Sequence, residues 1–178
     1  MNPSLVGSEM CIRDRSHLDQ ILAVGIRVPD HGALKPWRLV VISGAARARL
    51  DSEIIHAEFT ASNPNAKPEV EEIEKGRLQR ADVVIAVLST PVEHPKIDVW
   101  EMQLSAGAVC TTLLYAAQSF GYAAQWLTEW YAYSDRMLTE LGGRPGIDRI
   151  AGFIYIGEKI KPPIERTRPD PEKVIARL

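Results

Sequence analysis

Residues 82–90, DVVIAVLST, form the most hydrophobic short run in the chain. An unbroken, β-branched run of this length, too short for a membrane span, has the pattern of a strand with neighbours on both sides, and it predicts a central strand. Two other runs share the character. Residues 37–44 (WRLVVISG), bounded by Pro36 and Gly44, and residues 150–157 (IAGFIYIG) are expected to be core strands. Residues 122–130 read as a shorter strand with a polar end.

The segments between these runs carry helical periodicity. Leu18, Ile21, Leu22, Gly25 and Ile26 recur at helical spacing behind a Ser16 cap until Pro29 stops the pattern. Residues 45–60 place Leu50, Ile54, Ile55 and Phe59 on one side of a second helix. Pro68 is suited to the first helical position, and Glu69, Glu71 and Glu72 suit the positive pole that follows, so this charged helix is expected to be exposed. Residues 97–120 form a long helix, apolar around most of its circumference. Its Ser105, Ala106, Gly107, Ala108, Thr112 and Ala116 allow close approach by another helix. Ser134 caps a short helix at 135–141, ended by Gly142 and Gly143. Four strands spaced by helices of unequal length predict a layered α/β or α+β domain. The proline-rich tail beyond residue 157 has no core of its own and is expected to lie on another surface, such as a second subunit.

A chain of 178 residues, 46% of them hydrophobic, supports one compact domain. Its 21 lysines and arginines nearly balance 23 aspartates and glutamates, which gives no electrostatic basis for a nucleic-acid or anionic-membrane partner. The apolar stretch 99–117 is interrupted by Glu101, Gln103, Ser105 and two threonines and fails as a membrane span. Cys11 and Cys110 have no CxxC or Cys/His spacing, and His17, His31, His56 and His94 are scattered, so no metal site is expected. HExxH, GxSxG, P-loop and GxGxxG motifs are missing from the sequence, which leaves a cofactor to carry the chemistry. Residues 4–15, SLVGSEMCIRDR, are no secretory signal; they resemble a translated sequencing-adapter peptide. Residues 1–15 are therefore expected to be an artefactual or disordered tail ahead of a single domain, 16–178.

The densest chemical signal is Arg27-Val28-Pro29-Asp30-His31, followed by Lys35-Pro36-Trp37-Arg38. An arginine and a histidine four apart, on a loop pinned by two prolines, can present planar donors to an anionic or carbonyl-rich ligand with little loss of entropy. The other reading is an ordinary helix end, with Arg27 at the negative pole and His31 solvated.

The order of motifs adds to this. R-x-P-D-H-x(4)-P-W-R from Arg27 to Arg38 comes first, then W-E-x(3)-S-A-G from Trp100 to Gly107. G-x(4)-W from Gly121 to Trp126, G-F-x-Y-x-G from Gly152 to Gly157 and E-R-x-R-P-D-P from Glu165 to Pro171 complete it. In this order and spacing the chain, from Leu18 to its C-terminus, resembles the compact FMN-dependent nitroreductases. The resemblance implies an α+β, three-layer α/β/α domain with a central, mainly antiparallel sheet, in an intertwined, cytoplasmic homodimer. It implies FMN as cofactor, NAD(P)H as co-substrate, and a nitroaromatic, quinone or similar small-molecule acceptor reduced by a ping-pong hydride mechanism.

Position by position, the resemblance makes Arg27 and His31 contacts to the FMN bound mainly by the other subunit. It lays Trp126, Leu127 and Thr128 along the isoalloxazine, with Leu127 acting through its backbone. It puts the pyridine-nucleotide contact at Ala116, Ala117, Gln118, Ser119, Phe120 and Gly121. No side chain is assigned as a general acid. Family members open with an Arg-Arg-Ser-type motif that grips the FMN phosphate; its spacing falls on Asn2-Pro3-Ser4, which does not match. The alternative is a non-catalytic flavin-binding or structural dimer with impaired phosphate binding.

Overall fold

A computed structural model describes residues 15–162 and 164–177. The adapter-like segment up to residue 14, Cys11 and the Asn2-Pro3-Ser4 stretch lie outside the described residues. Helix α1 (Arg15–Gly25) leads into β1 (Trp37–Ser43), and α2 (Ala45–Leu50) and α3 (Ala57–Ser62) follow. Then come α4 (Pro68–Glu74), β2 (Val83–Ser89), α5 (Val99–Ser119) and β3 (Ala123–Leu127). The chain closes with α6 (Asp135–Glu140), β4 (Arg149–Gly157) and α7 (Pro171–Val174).

The four strands form one antiparallel sheet in the order β1-β2-β4-β3. As its composition predicts, β2 is interior, and every residue from Val83 to Ser89 is buried. Period-two alternation divides the strand side chains between two cores. Val84, Ala86 and Leu88 of β2 and Phe153 and Tyr155 of β4 face Leu50, Ile54, Ile55, Met137 and Leu138. Val83, Ile85 and Val87 with Ile154 and Ile156 face Ile21 of α1 and Val109, Leu113 and Ala117 of α5. The result is the expected three-layer α/β/α arrangement. At about 1.5–3 kcal/mol for each fully buried large apolar side chain, the two middle strands anchor both layers.

Helices α1 and α5 pack closely because Gly25 has no side chain: a Cβ there would stand 2.3 Å from Cδ2 of Leu113. The α5 helix starts where Asp98 accepts from the backbone N–H of Trp100 at 2.7 Å and stops before Gly121, whose φ is +86°. Ser134 caps α6 by accepting from Met137 N–H at 3.0 Å. Among the described residues no helix is long and apolar enough to cross a membrane.

Two sequence expectations need correction. The segment 45–62 is not a uniform helix, because Asp51–His56 between α2 and α3 is wound as a π-helix. Nor is α4 wholly exposed. Glu74 at its end is only 2% accessible and accepts from the Trp130 indole at 3.1 Å and from Arg77 Nε at 3.0 Å. Burial pushes the Glu74 carboxyl up, but the hydrogen bonds from Arg77 and Trp130 and the Arg77 charge outweigh it, so the group stays below its ordinary range.

Candidate functional site

The segment following α1 is an exposed loop held from several directions. Ser105 on α5 donates to the Pro29 carbonyl at 2.8 Å, and the Asp30 carboxylate accepts from the backbone N–H groups of Leu34 (3.1 Å) and Lys35 (2.8 Å). His31 Nδ1 lies 2.8 Å from Oε2 of Glu101, also on α5. Thr90 N–H, at the end of β2, donates to Pro36 O at 2.9 Å. Within this frame Gly32, Ala33 and Lys35 take positive φ of 73°, 55° and 51°. Two non-glycine residues in the left-handed region cost on the order of 1–3 kcal/mol each, a cost borne only where surrounding contacts fix the chain.

Arg27 sits on this anchored loop, exposed, with no hydrogen bond or ion pair to its guanidinium among the described residues. His31 stays 61% exposed, as in the solvated reading, while Glu101 holds its Nδ1. Arg38, in contrast, donates to the Gly142 carbonyl at 3.1 Å and joins β1 to the end of α6.

Trp126 belongs to edge strand β3, opposite Ile154 in β4, and is 37% exposed. Its indole Nε1 donates to Ala151 O at 3.1 Å, beyond the last β3–β4 pair, where the β2–β4 register shifts. The ring lies against Gly152, where an added Cβ would come within 1.9 Å of Nε1. The Leu127 side chain is partly buried against the core that includes Phe153; Thr128, one residue beyond the strand, is exposed.

The remaining candidates occupy the far end of α5. Ala116 and Ala117 are buried against the sheet, and their side chains are closed to any ligand. Gln118, Ser119 and Gly121 are exposed, and Phe120 is half-buried with its ring 4.9 Å from that of His17. Ser105 and Gln118 are separated by roughly 20 Å along the helix axis at about 1.5 Å per residue. Within a single chain the Pro29–His31 part of the loop is thus held toward the start of α5, and the 116–121 segment lies at its end.

Sequence reasoning missed Glu101 and Ser105 as functional candidates. They stand one helical turn apart on α5 and grip the loop 70 and 76 residues earlier in the chain. Their signal was present in the W-E-x(3)-S-A-G motif, whose two polar residues share a helix face.

The chain is 30% identical over 157 residues to the Escherichia coli (strain K12) protein named "Putative NAD(P)H nitroreductase YdjA", covering 86% of this chain and 82% of that relative. Its fold is similar to that of a nitroreductase-like protein from Bacillus cereus, with a TM-score of 0.79 and 18% identity over 99% of this chain and 90% of the other. A nitroreductase from Bacteroides fragilis with bound FMN gives a TM-score of 0.66 and 17% identity over 98% and 93%. The nitroreductase family model matches residues 14–158, from the first helix to the end of β4 and so across both cores and the anchored loop; the chain belongs to the nitroreductase family.

Proposed function

We propose that this nitroreductase-family enzyme is an FMN-dependent, cytoplasmic oxidoreductase that uses NAD(P)H to reduce nitroaromatic, quinone or similar acceptors by a ping-pong mechanism. The observation that carries the reading is the Arg27 guanidinium, unpaired among the described residues, on a loop fixed by Asp30, Ser105 and Glu101. When bound, FMN supplies the hydride and electron chemistry. The protein's part is to bind, orient and exclude water.

The residues present fit the ring end of such a cofactor. Arg27 is an exposed cation whose planar donors are unpaired among the described residues, suited to a carbonyl-rich, electron-accepting ring on which negative charge develops. The backbone of Leu127 and Thr128 lies at an open sheet edge beside Trp126. The phosphate end is less well matched, because the family's Arg-Arg-Ser position falls on Asn2-Pro3-Ser4.

The site needs a second copy. Trp100, Leu104 and Tyr115 are 63%, 53% and 69% exposed and follow one side of α5 together with Gly107 and Thr111. Such an apolar stripe is suited to an isologous interface. An antiparallel pairing of two α5 helices sets the Arg27 loop of one protomer beside the 116–121 segment of its partner. The tail from residue 158 onward, exposed at every described position, then gains a surface to lie on.

Purified protein should be yellow, with a visible flavin band that bleaches on anaerobic addition of NADH or NADPH. Colourless protein that stays colourless after incubation with FMN overturns the reading. Colour without bleaching favours the non-catalytic flavin-binding dimer, for which the mismatch at Asn2-Pro3-Ser4 speaks.

A further inference from the structure

We infer that Glu101 is a positioning residue, which selects the tautomer of His31 and aims its free nitrogen at the flavin; this rests on the FMN reading above. Oε2 of Glu101 lies 2.8 Å from His31 Nδ1. An ionised carboxylate only accepts, so Nδ1 carries the proton and Nε2 is the nitrogen left to face a ligand. Free imidazole side chains in water favour the opposite tautomer, with the proton on Nε2, so the arrangement is imposed by the fold. A neutral His31 held this way offers Nε2 as an acceptor, and a protonated one offers it as a donor.

The placement of Glu101 is not incidental to α5. One turn further on, Ser105 donates to the Pro29 carbonyl at 2.8 Å, so a single helix face fixes the loop at two points on either side of Asp30. Asp30 turns its carboxylate the other way, onto the N–H groups of Leu34 and Lys35. The three contacts divide the work: Ser105 sets the height of the loop on the helix, Asp30 closes the turn, and Glu101 orients the one imidazole. Only the last acts on a group with two alternative hydrogen-bonding states.

The test combines a tautomer measurement with a double-mutant cycle. In wild-type protein, heteronuclear NMR of the imidazole nitrogens should report His31 with the proton on Nδ1, whether or not FMN is bound. In Glu101→Ala the balance should move toward Nε2–H, and FMN affinity should fall about five- to tenfold, in line with loss of a single side-chain hydrogen bond. Glu101→Gln keeps an acceptor of the same shape, so it should retain most of the wild-type tautomer and lose no more than about threefold. In a His31→Ala background, Glu101→Ala should change FMN affinity by less than about twofold, because its effect passes through the ring that is gone.

An unchanged tautomer in Glu101→Ala, or an equal loss of affinity with and without His31, overturns the positioning role while leaving the FMN reading intact. If wild-type protein binds no FMN, that reading fails, and the tautomer measurement alone still decides whether Glu101 controls His31.

Discussion

The hydroxyl groups of Tyr131 and Tyr155 meet at 2.6 Å in a region of the core closed to solvent. Burial pushes both phenols up, and either hydroxyl can donate to the other. The Arg80 guanidinium stands 5.2 Å from the centre of the Tyr155 ring. The two tyrosines are therefore not equivalent. Tyr131→Phe leaves the Tyr155 hydroxyl with Arg80 as a neighbour, for a loss of about 1 kcal/mol. Tyr155→Phe strands the buried Tyr131 hydroxyl without a partner and should cost about 1–3 kcal/mol. Urea unfolding of both variants checks the order, and equal losses contradict it.

Asp51 opens the π-helical turn and is fully buried, yet it accepts from Leu78 N–H at 2.8 Å and Gln79 Nε2 at 3.1 Å. Burial outweighs these bonds and pushes its carboxyl up from 3.8 to about 6. A raised folded-state value means the folded chain binds the proton more tightly than the unfolded one. The associated stability is fully present below about pH 4 and is lost as pH rises through about 6. Asp51→Asn removes this dependence, because asparagine can accept from Leu78 and Gln79 can turn its amide to match. The stability of wild type relative to Asp51→Asn should fall between pH 4.5 and 7.5, by at most about 3 kcal/mol. A constant difference across that range in denaturant titrations refutes it.

Where the sequence was legible, burial was written into consecutive residues. The β2 run has one workable environment, and Val83 to Ser89 occupies it. Pro68 at the start of α4 and Ser134 at the cap of α6 are local signals, and both held. What stayed illegible depends on distant partners. Glu74 sits in a charged stretch that looks solvated, and only the fold brings the Trp130 indole to it from 56 residues away. Trp126 looks like a core aromatic by type, but the missing side chain at Gly152 lets it lie half-open on the sheet. The grip of Glu101 and Ser105 on the Arg27 loop has the same origin: a helix motif shows which residues share a face, not what that face meets.

Arg27→Ala should weaken FMN binding about ten- to a hundredfold, the range for losing a charge-assisted hydrogen bond of roughly 1.5–3 kcal/mol, and should slow flavin reduction. Arg38 is a poor control because it holds the Gly142 carbonyl. Arg136, exposed on α6, which packs on the other face of the sheet from α5, serves better: Arg136→Ala should leave both quantities within about twofold, as an ordinary surface change does. Fluorescence titration with FMN measures the affinity and stopped-flow bleaching the reduction. Equal behaviour of the two variants removes Arg27 from the site.

The last expectation concerns the exposed face of α5. Leu104 is 53% exposed in the single chain and lies one helical turn from Trp100, on the stripe that continues to Tyr115. An apolar stripe of this length on a helix otherwise buried against a sheet suits a second copy of the chain, and Gly107 within it leaves room for a second backbone. Leu104→Lys places a charge within the proposed two-fold contact. In an isologous contact each substitution acts twice, once from each protomer. Light scattering should give the mass of a dimer for wild type at micromolar concentration and a shift toward monomer for Leu104→Lys. The folded monomer should keep its far-ultraviolet circular dichroism, since the side chain takes no part in either core. In the proposed dimer Arg27 of one protomer reaches the FMN bound mainly by its partner, so FMN affinity should fall with the dimer. Wild type that runs as a monomer, or a monomeric variant that holds FMN as tightly as the parent, shows that one chain suffices to build the site.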